Sequence, residues 1–279
     1  MTHEFDEGYS LEPFRTLCTK YPGEDAFPRS HFRVEWGPIF FRGRLDGSAR
    51  VLIIGQDPAQ HETILRRILV GEAGRRVQGF LAKLGITKSY VMLNTFLYSV
   101  YGSTNVETRR NPGLVGYRNS WFNEILASGN IEGVVALGMY ADEAWKMWKD
   151  TEKGKKTNVS YVAITHPTQP ESSSGRDKTK LRESTKKMLQ NWNQGLQTIA
   201  PSIMHPDKSM ELVLYGDSFG DDDKAQIPEI DLPAGLPSWM SENDGWARRV
   251  GTTLILKRAN ITVTVPADFI NTFKKPRNN

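Results

Sequence analysis

The stretch VLIIGQDPAQHE, residues 51–62, places four aliphatic residues before a glycine and then a polar segment that contains Asp57. An aliphatic run of this kind is typical of a strand that is buried on both faces of a parallel sheet. Glycine and proline end the run, so Gln56 and Asp57 follow the strand directly. The stretch therefore predicts a buried strand with an amide and a carboxylate at its carboxyl end.

Three similar apolar runs follow along the chain, at residues 90–93, 134–137 and 161–164. The segments between the runs, and the segment after the last one, carry apolar residues at helical spacing. The inner faces of the four predicted helices are Val77, Phe80, Leu81 and Leu84; Trp121, Phe122, Ile125 and Leu126; Ala141, Ala144, Trp145 and Trp148; and Leu181, Met188, Trp192, Leu196 and Ile199. Strands that alternate with helices predict an α/β fold, with a central, mostly parallel four-stranded sheet flanked by helices.

The pattern changes after Pro206, where strict alternation replaces the buried runs. Residues 252–257 and 261–265 alternate between apolar and polar side chains and predict a β-hairpin. We therefore divide the chain into an α/β domain at residues 1–206 and a small β-rich appendage at residues 207–279. The pattern leaves open whether the appendage folds alone or completes the main domain.

The composition is that of a globular protein, with 279 residues of which 38% are hydrophobic. The single cysteine, Cys18, excludes an internal disulfide and a four-cysteine metal site. No apolar run approaches the roughly 20 residues that a membrane-spanning helix needs. The acidic amino terminus lacks the apolar middle of a signal peptide, so we expect a cytoplasmic protein that does not bind membranes.

The net charge of +4 is unevenly distributed along the chain. Residues 172–187 carry six basic and two acidic side chains, whereas residues 1–25 and 217–231 are acidic. A polyanion is therefore expected to lie against the middle of the chain. The alternative is a helix face that is simply solvated.

Polar or small residues follow each predicted strand. They are Gln56 and Asp57 after the first, Asn94 after the second, Gly138 after the third and His166 after the fourth. Ligands of open α/β sheets bind beyond the carboxyl ends of the strands, so these residues are expected to converge on one crevice. An amide, a carboxylate and an imidazole in one pocket suit the recognition of a planar polar ligand.

The same motifs resemble those of the uracil-DNA glycosylase superfamily. GQDP at 55–58, VMLNT at 91–95 and THPT at 165–168 are similar, in order and spacing, to its Gly-Gln-Asp-Pro-Tyr-His, Leu-Leu-Leu-Asn and His-Pro-Ser motifs. Residues 70–86 are also similar to the helix that follows the first motif in the iron-sulfur members. The resemblance covers roughly residues 45–200. It implies base-excision repair, through hydrolysis of the bond between uracil and deoxyribose in a nucleotide flipped out of DNA.

The resemblance also implies roles for the residues at the strand ends. Asp57 would position the attacking water and face the cation-like sugar, while His166 would donate a hydrogen bond to the uracil oxygen that gathers negative charge. Asn94 would read the uracil edge, with a pattern that cytosine does not satisfy. The backbone of Gln56 would add a further donor.

The chain departs from the family pattern at several positions. Ala59 stands where a tyrosine blocks the methyl group of thymine, and Leu69 stands where the iron-sulfur members place the aromatic residue that stacks on uracil. Phe80 is a candidate substitute for that aromatic residue. The single cysteine excludes the cluster itself, so no metal or cofactor is expected. The segment 107–113 lacks the histidine of members that trap the abasic sugar, so we expect no covalent adduct.

The segment after the third motif is a candidate DNA-binding surface. Thr168 keeps a hydroxyl where the family has serine, and Gln169 or Pro170 is a candidate to fill the gap that the flipped base leaves. Further candidates to bind the DNA backbone are Ser172, Ser173, Arg176 and Lys178. A flexible, solvated loop is the alternative interpretation. The expected partner is uracil-containing DNA, single- or double-stranded, bound by a monomer.

Each motif also has a purely structural interpretation. Asp57 and Pro58 suit a helix N-cap followed by proline at the first helical position. Asn94 suits a turn at a strand end, and His166 suits a core histidine with satisfied nitrogens.

Two other functions remain as alternatives. LVLYGDSFG at 212–220 resembles the nucleophile block of GDSL-type ester hydrolases, but His205 is the last histidine and precedes Ser218, whereas that family places its base near the carboxyl terminus. We therefore interpret Ser218 as a turn residue. The other alternative is a DNA-binding module that keeps the fold without the reaction.

Overall fold

The computed structural model describes residues 8–274 apart from 103, 243, 244, 254, 255, 257 and 258. Its central sheet has five strands in the order β1-β3-β2-β4-β5. The strands are β1 (Phe41–Gly43), β2 (Val51–Gly55), β3 (Tyr90–Asn94), β4 (Gly133–Leu137) and β5 (Ser160–Ile164). β2 to β5 are the four predicted parallel strands.

The sheet has one strand more than the four predicted. β1 pairs antiparallel with β3 at the edge of the sheet. It is three residues long and has Arg42 at its centre, so neither its length nor its hydropathy marks it as a strand. The α/β class and the mostly parallel sheet are confirmed.

The helices between the strands lie where the apolar spacing predicts them. The helices are α1 (Phe14–Thr19), α2 (Gln60–Leu65), α3 (Glu72–Lys83), α4 (Val106–Arg109), α5 (Pro112–Ala127), α6 (Met139–Lys149), α7 (Glu152–Lys156), α8 (Gln169–Ser174), α9 (Lys178–Ile199), α10 (Ser238–Glu242) and α11 (Ala267–Lys274). Among the described residues, no helix combines the length and hydropathy needed to cross a bilayer.

Two helical layers cover the sheet. Val51 and Ile53 of β2 belong to a core cluster with α3 and α9, whereas Leu52 and Ile54 belong to a cluster with α5 and α6. Successive side chains of a strand point to opposite faces, so a strand covered on both sides must be apolar throughout. The polar chain that follows each strand is then left at the carboxyl edge of the sheet.

The first part of the predicted appendage packs against the α/β domain. Tyr215 joins the core cluster beside α9, with its ring 5.7 Å from that of Trp192. Asp231 is buried and accepts a hydrogen bond from Arg42 of β1 at 3.1 Å, and it also pairs with Arg44. The division at residue 206 remains a prediction. The buried ion pairs favour an appendage that completes the domain.

The carboxyl-terminal two-stranded sheet differs from the predicted hairpin. Its strands are β6 (Ala247–Arg249) and β7 (Ile261–Val263), which pair antiparallel. The prediction of a first strand at 252–257 is wrong, because residues 252 and 253 form a bend and Leu256 is helical; residues 254, 255 and 257 lie outside the described part. Alternation predicts that a strand is exposed on one face, but it does not identify the strand with which it pairs. The partner of β7 is β6, which is held in place because Ala247 is buried beside α2.

Candidate active site

The strand register brings the predicted strand-end residues to one edge of the sheet. Gly55 of β2 pairs with Asn94 of β3, and β4 lies between β2 and β5. Asp57 and His166 therefore face each other across the end of β4, where Gly138 has a φ of +83°. A Cβ on Gly138 would lie 3.1 Å from that of His166, so a glycine here permits both the turn and the close approach.

Asp57 is fixed by two hydrogen bonds. Its Oδ1 accepts from Nε2 of Gln56 at 3.0 Å, and its Oδ2 accepts from the backbone N–H of Val100 at 3.0 Å. Helix α2 begins at Gln60 with Ala59 as its N-cap residue, so the N-cap interpretation of Asp57 is wrong. Each carboxylate oxygen has more than one lone pair and can accept a further hydrogen bond from the cleft.

Burial raises the pKa of the Asp57 carboxyl above its ordinary value. The two hydrogen bonds oppose this rise, because they favour the charged form. The positive charges of Arg249 and Arg33 also oppose it. Burial thus favours the neutral acid, whereas the two hydrogen bonds and the two cations favour the carboxylate.

His166 is held as a neutral imidazole. Its Nδ1 accepts the backbone N–H of Thr168 at 3.3 Å, and the Thr168 hydroxyl oxygen lies 3.2 Å from the same nitrogen. A backbone N–H only donates, so the neutral ring carries its proton on Nε2. Burial lowers the pKa of His166 to about 4. The side chain lines a cleft, and among the described residues its Nε2 has no hydrogen-bond partner, so it differs from a core histidine with satisfied nitrogens.

The loop that carries His166 is fastened at both ends. Thr165 donates its N–H and its hydroxyl to Oδ1 of Asn191 at 2.7 and 3.0 Å. Arg76 of α3 donates from Nη1 to the carbonyl oxygen of Pro167 at 2.5 Å and pairs with Glu171 at 2.6 Å. Sequence analysis did not identify Arg76, because a buried arginine whose partner is a distant carbonyl oxygen leaves no local pattern.

Several of the predicted site residues line one cleft, which has a volume of about 740 Å³. Five of them line it: Asp57, Ala59, Leu69, His166 and Thr168. Glu62, which accepts the backbone N–H of Ala59 at 3.1 Å, also lines it. A further wall comes from the carboxyl-terminal segment and consists of Gly245, Ala247, Arg248 and Arg249. Sequence analysis missed this wall because it placed the hairpin further along the chain.

Leu69 lines the cleft from a left-handed backbone conformation, with a φ of +54°. That conformation costs a non-glycine residue about 1–3 kcal/mol and persists where the surroundings fix it. The neighbouring backbone is held by Arg42, which donates from Nε to the carbonyl oxygen of Ile68 at 2.7 Å. Phe80, in contrast, is 1% exposed and packs edge-on against Trp192 in the core. The structure therefore places Leu69 at the cleft and Phe80 away from it.

Asn94 does not line this cleft. It ends β3 next to Gly55 and lines a smaller neighbouring cavity with apolar residues such as Phe40 and Tyr117. A Cβ on Gly55 would lie 2.3 Å from Oδ1 of Asn94, so glycine is required for this approach. Within the described part of the chain, the Asn94 amide has no hydrogen-bond partner. The amide is therefore open to a ligand, one strand away from Asp57.

The candidate DNA-binding residues follow the cleft along α8 and into α9. Gln169, Ser172, Ser173, Arg176 and Lys178 are all exposed or mostly exposed. The segment is not the flexible loop of the alternative interpretation, because residues 169–174 form α8 and Lys178 begins α9. Ser172 and Ser173 donate their hydroxyls to backbone carbonyl oxygens of α8 and the residue before it. Their hydroxyl oxygens can still accept hydrogen bonds.

Another sequence feature has structural partners. Arg109 pairs with Glu143 at 2.8 Å, which ties α4 to α6, and it also donates to the carbonyl oxygen of Thr104.

Residues 211–215 form no strand, so Ser218 lacks the strand that precedes an ester-hydrolase nucleophile. Among the described residues, no group of three histidine, cysteine or acidic side chains is arranged to hold a metal ion.

Residues 43–197 match the model of the Uracil DNA glycosylase superfamily. No curated protein matches the chain. The matched range begins in β1 and ends in α9, so it contains Asp57, Asn94 and His166. It does not contain Arg248 and Arg249, which line a further wall of the cleft.

Proposed function

The chain belongs to the uracil-DNA glycosylase superfamily, and on that premise we propose that it hydrolyses the N-glycosidic bond of deoxyuridine in DNA and leaves an abasic site. The observation that carries this proposal is the pairing, across one cleft, of a hydrogen-bonded carboxylate with a neutral histidine. Asp57 and His166 lie at the ends of β2 and β5 and line the same cleft. They are the acid and the imidazole that this reaction requires.

Asp57 acts on the sugar side of the scissile bond. As the bond breaks, the deoxyribose gains positive charge, which a partly desolvated carboxylate stabilises more strongly than water does. The hydrogen bonds from Gln56 and Val100 hold the carboxylate in one orientation. The remaining lone pairs accept a hydrogen bond from the attacking water and orient it toward the sugar.

His166 acts on the leaving base. The departing uracil is an anion whose charge gathers on its ring oxygens, and the Nε2–H of the neutral ring donates a hydrogen bond to that charge. Because the Nδ1 nitrogen already accepts the N–H of Thr168, the donor is fixed before substrate binds. Such preorganisation removes a reorganisation cost from the reaction.

Leu69 and Ala59 line the part of the cleft that holds the base, and Asn94 lines the neighbouring cavity. Leu69 covers one face of the ring with an aliphatic surface, and Ala59 leaves room next to the 5-position. For the Asn94 amide to accept from the imide N–H of uracil and donate to the adjacent carbonyl oxygen, the base must extend from the cleft into the neighbouring cavity that Asn94 lines. Cytosine reverses this donor pattern, and a buried polar mismatch costs about 1–3 kcal/mol.

The reaction is direct hydrolysis, without a covalent enzyme-sugar intermediate. The basic residue Arg109, in the segment where some members carry the trapping histidine, is engaged by Glu143. The DNA backbone is bound along the exposed residues Gln169, Ser172, Ser173, Arg176 and Lys178.

A panel of oligonucleotides tests the proposal. Each carries one uracil opposite guanine, opposite adenine or in a single strand, and alkali converts an abasic site into strand scission. We expect scission at the uracil position with the wild-type chain and much less with Asp57→Asn. Binding of the oligonucleotide without scission would instead indicate a DNA-binding module, and turnover of a p-nitrophenyl ester would indicate an ester hydrolase.

A further inference from the structure

The carboxyl-terminal strand β6 forms a wall of the cleft, although it lies outside the range that matches the family. Gly245, Ala247, Arg248 and Arg249 line the same cleft as Asp57 and His166. Arg248 is exposed, and Arg249 is half-buried. Both arginines contribute to the lining of the cleft that holds the proposed reacting groups; because successive residues of a strand point to opposite faces, Arg249 shares the face of the buried Ala247 and Arg248 lies on the exposed face.

Strand β6 is anchored at this position by apolar packing. Trp246, directly before the strand, lies edge-on to the ring of His61 in α2, with 4.9 Å between ring centroids. The buried Trp246 and Ala247 belong to a cluster with Leu65, the last residue of α2, and Val70, in the loop between α2 and α3. Burying an aromatic side chain of this size is a large favourable contribution. The arginines are therefore presented from a packed element.

The charge of β6 bears on the proposed reacting groups. The positive charge of Arg249 is one of the influences that favour the ionised form of Asp57. The cleft also contains the carboxylate of Glu72, but Arg75, Arg76 and Lys224 pair with it. The pairs of Glu72 leave Arg248 and Arg249 as further cations among the residues that line the cleft, which also include the carboxyl group of Glu62.

The position of these cations relative to a nucleotide identifies their ligand. The two phosphates of an extruded nucleotide are bonded to the same sugar that would face Asp57. Cations that share the cleft with Asp57 therefore lie close to the path of these phosphates. Arginine suits this task, because its planar guanidinium binds phosphate oxygens through two hydrogen bonds.

We propose that β6 is a DNA-binding wall of the active site, in which Arg248 and Arg249 bind the phosphates that flank the extruded nucleotide. This inference rests on the proposed function, since it places the sugar at Asp57. It assigns a role to the carboxyl-terminal segment, which closes the cleft around the DNA strand. The exposed residues of α8 then contact the backbone from the other side.

The salt dependence of DNA binding tests the inference. The probe is a labelled oligonucleotide that contains 2′-fluorodeoxyuridine, whose glycosidic bond resists cleavage, and the full chain is titrated at several salt concentrations. Each phosphate contact contributes about 0.9 to the slope of log K against log salt on duplex DNA. We expect Arg248→Ala and Arg249→Ala each to lower the slope by about that amount, and Arg→Lys at either position to preserve it.

Two arginines outside the cleft provide matched controls. Arg15→Ala removes an exposed side chain of α1, like that of Arg248, and Arg50→Ala removes a half-buried one at the opposite edge of the sheet, like that of Arg249. Neither control should change the slope. If an alanine variant of β6 unfolds, a second experiment uses the wild-type chain. It is titrated with DNA that carries neutral methylphosphonates in place of the phosphates beside the uracil. This DNA should show the same decrease in the salt slope as the alanine variants.

The outcomes separate this inference from the proposed function. Uracil excision by the wild-type chain, together with an unchanged slope for the β6 variants and the methylphosphonate DNA, overturns the inference and leaves the function intact. A lowered slope in a chain that releases no uracil supports the phosphate contacts and overturns the proposed function.

Discussion

The Nδ1 nitrogen of His166 accepts the backbone N–H of Thr168 at 3.3 Å, so the proton of the neutral ring resides on Nε2. The contact is made within the THPT motif itself, where the proline between the two residues turns the chain. It fixes the tautomer before any ligand is present. A histidine arranged in this way is a hydrogen-bond donor toward the cleft at neutral pH.

We predict that the nitrogen resonances of His166 show the Nε2–H tautomer and titrate at about pH 4. An unperturbed histidine titrates near pH 6.5. Because the pKa is lowered in the fold, the neutral side chain contributes stability that is present above the ordinary value and is lost as the pH falls toward about 4. Titration of the ring nitrogens by NMR measures both properties. A midpoint near 6.5, or a proton on Nδ1, would contradict the prediction.

Asp57→Asn should abolish most of the activity and leave the fold intact. The substitution keeps the volume of the side chain and removes its charge and its capacity as a proton acceptor. We expect a loss of about 10²–10⁴-fold in single-turnover rate, the range typical for such groups. DNA affinity, measured on the uncleavable probe, should be retained. An equally large loss of affinity would mean that Asp57 acts in binding rather than in the reaction.

Activity should fall on the acidic side as Asp57 becomes protonated, with a midpoint above the ordinary pKa of aspartate. Arg249→Ala removes a positive charge that favours the ionised form. It should therefore raise the pKa of Asp57 and move the acidic limb of the pH-rate profile to higher pH. Profiles of the variant and of Arg50→Ala, measured in parallel at constant ionic strength, provide the comparison. An unshifted acidic limb would show that Arg249 does not act on Asp57.

Ala59 should extend the substrate range to uracils that carry a group at the 5-position. Of the described residues that line the cleft, none is phenylalanine, tyrosine or tryptophan, and Ala59 itself offers a single methyl group. Ala59→Tyr should lower the rate on thymine and 5-hydroxymethyluracil at least about tenfold. A steric cost of about 1.4 kcal/mol in the activation free energy is enough for this decrease. The rate on uracil should change less. A wild-type chain that is inert toward both 5-substituted bases would refute this prediction.

Arg76 should position His166 without contacting substrate. It holds the Pro167 carbonyl oxygen and pairs with Glu171 as well as with Glu72, whereas its neighbour Arg75 pairs with Glu72. Arg76→Met should lower kcat about tenfold with little change in KM, and it should disturb the NMR signature of the His166 ring. Arg75→Met is the matched control. Equal effects of the two substitutions on kcat and on the His166 resonances would indicate a general loss of stability instead.

The sheet and its helices were predictable because both faces of the sheet are covered. A strand such as β2, buried on two sides, must be apolar along its whole length, and this leaves a clear signal in the sequence. Asp57 and His166 were predictable for the same reason, since a polar residue directly after such a strand falls at the carboxyl edge. The family resemblance added roles to these positions.

The rest of the site depends on contacts between distant parts of the chain. Nothing near Val100 indicates that its N–H binds Asp57, and nothing near Trp246 indicates that it packs against His61. Phe80 was a reasonable aromatic candidate by composition, but its position on the inner face of α3 commits it to the core. Periodicity predicts which face of a helix is buried. It does not predict which of two neighbouring cavities the residue at a strand end will line, and Asn94 lines the smaller cavity instead of the cleft.

The most direct test of the account is the stoichiometry of products in a single turnover. The wild-type chain is mixed in excess with a duplex that contains one uracil, and free base and abasic strand are quantified by mass spectrometry. The account predicts equimolar uracil and abasic DNA, and release of base by Asp57→Asn that is slower by about 10²–10⁴-fold. Intact deoxyuridine in duplex that is fully bound to the wild-type chain, or equal release of uracil by Asp57→Asn, would contradict it.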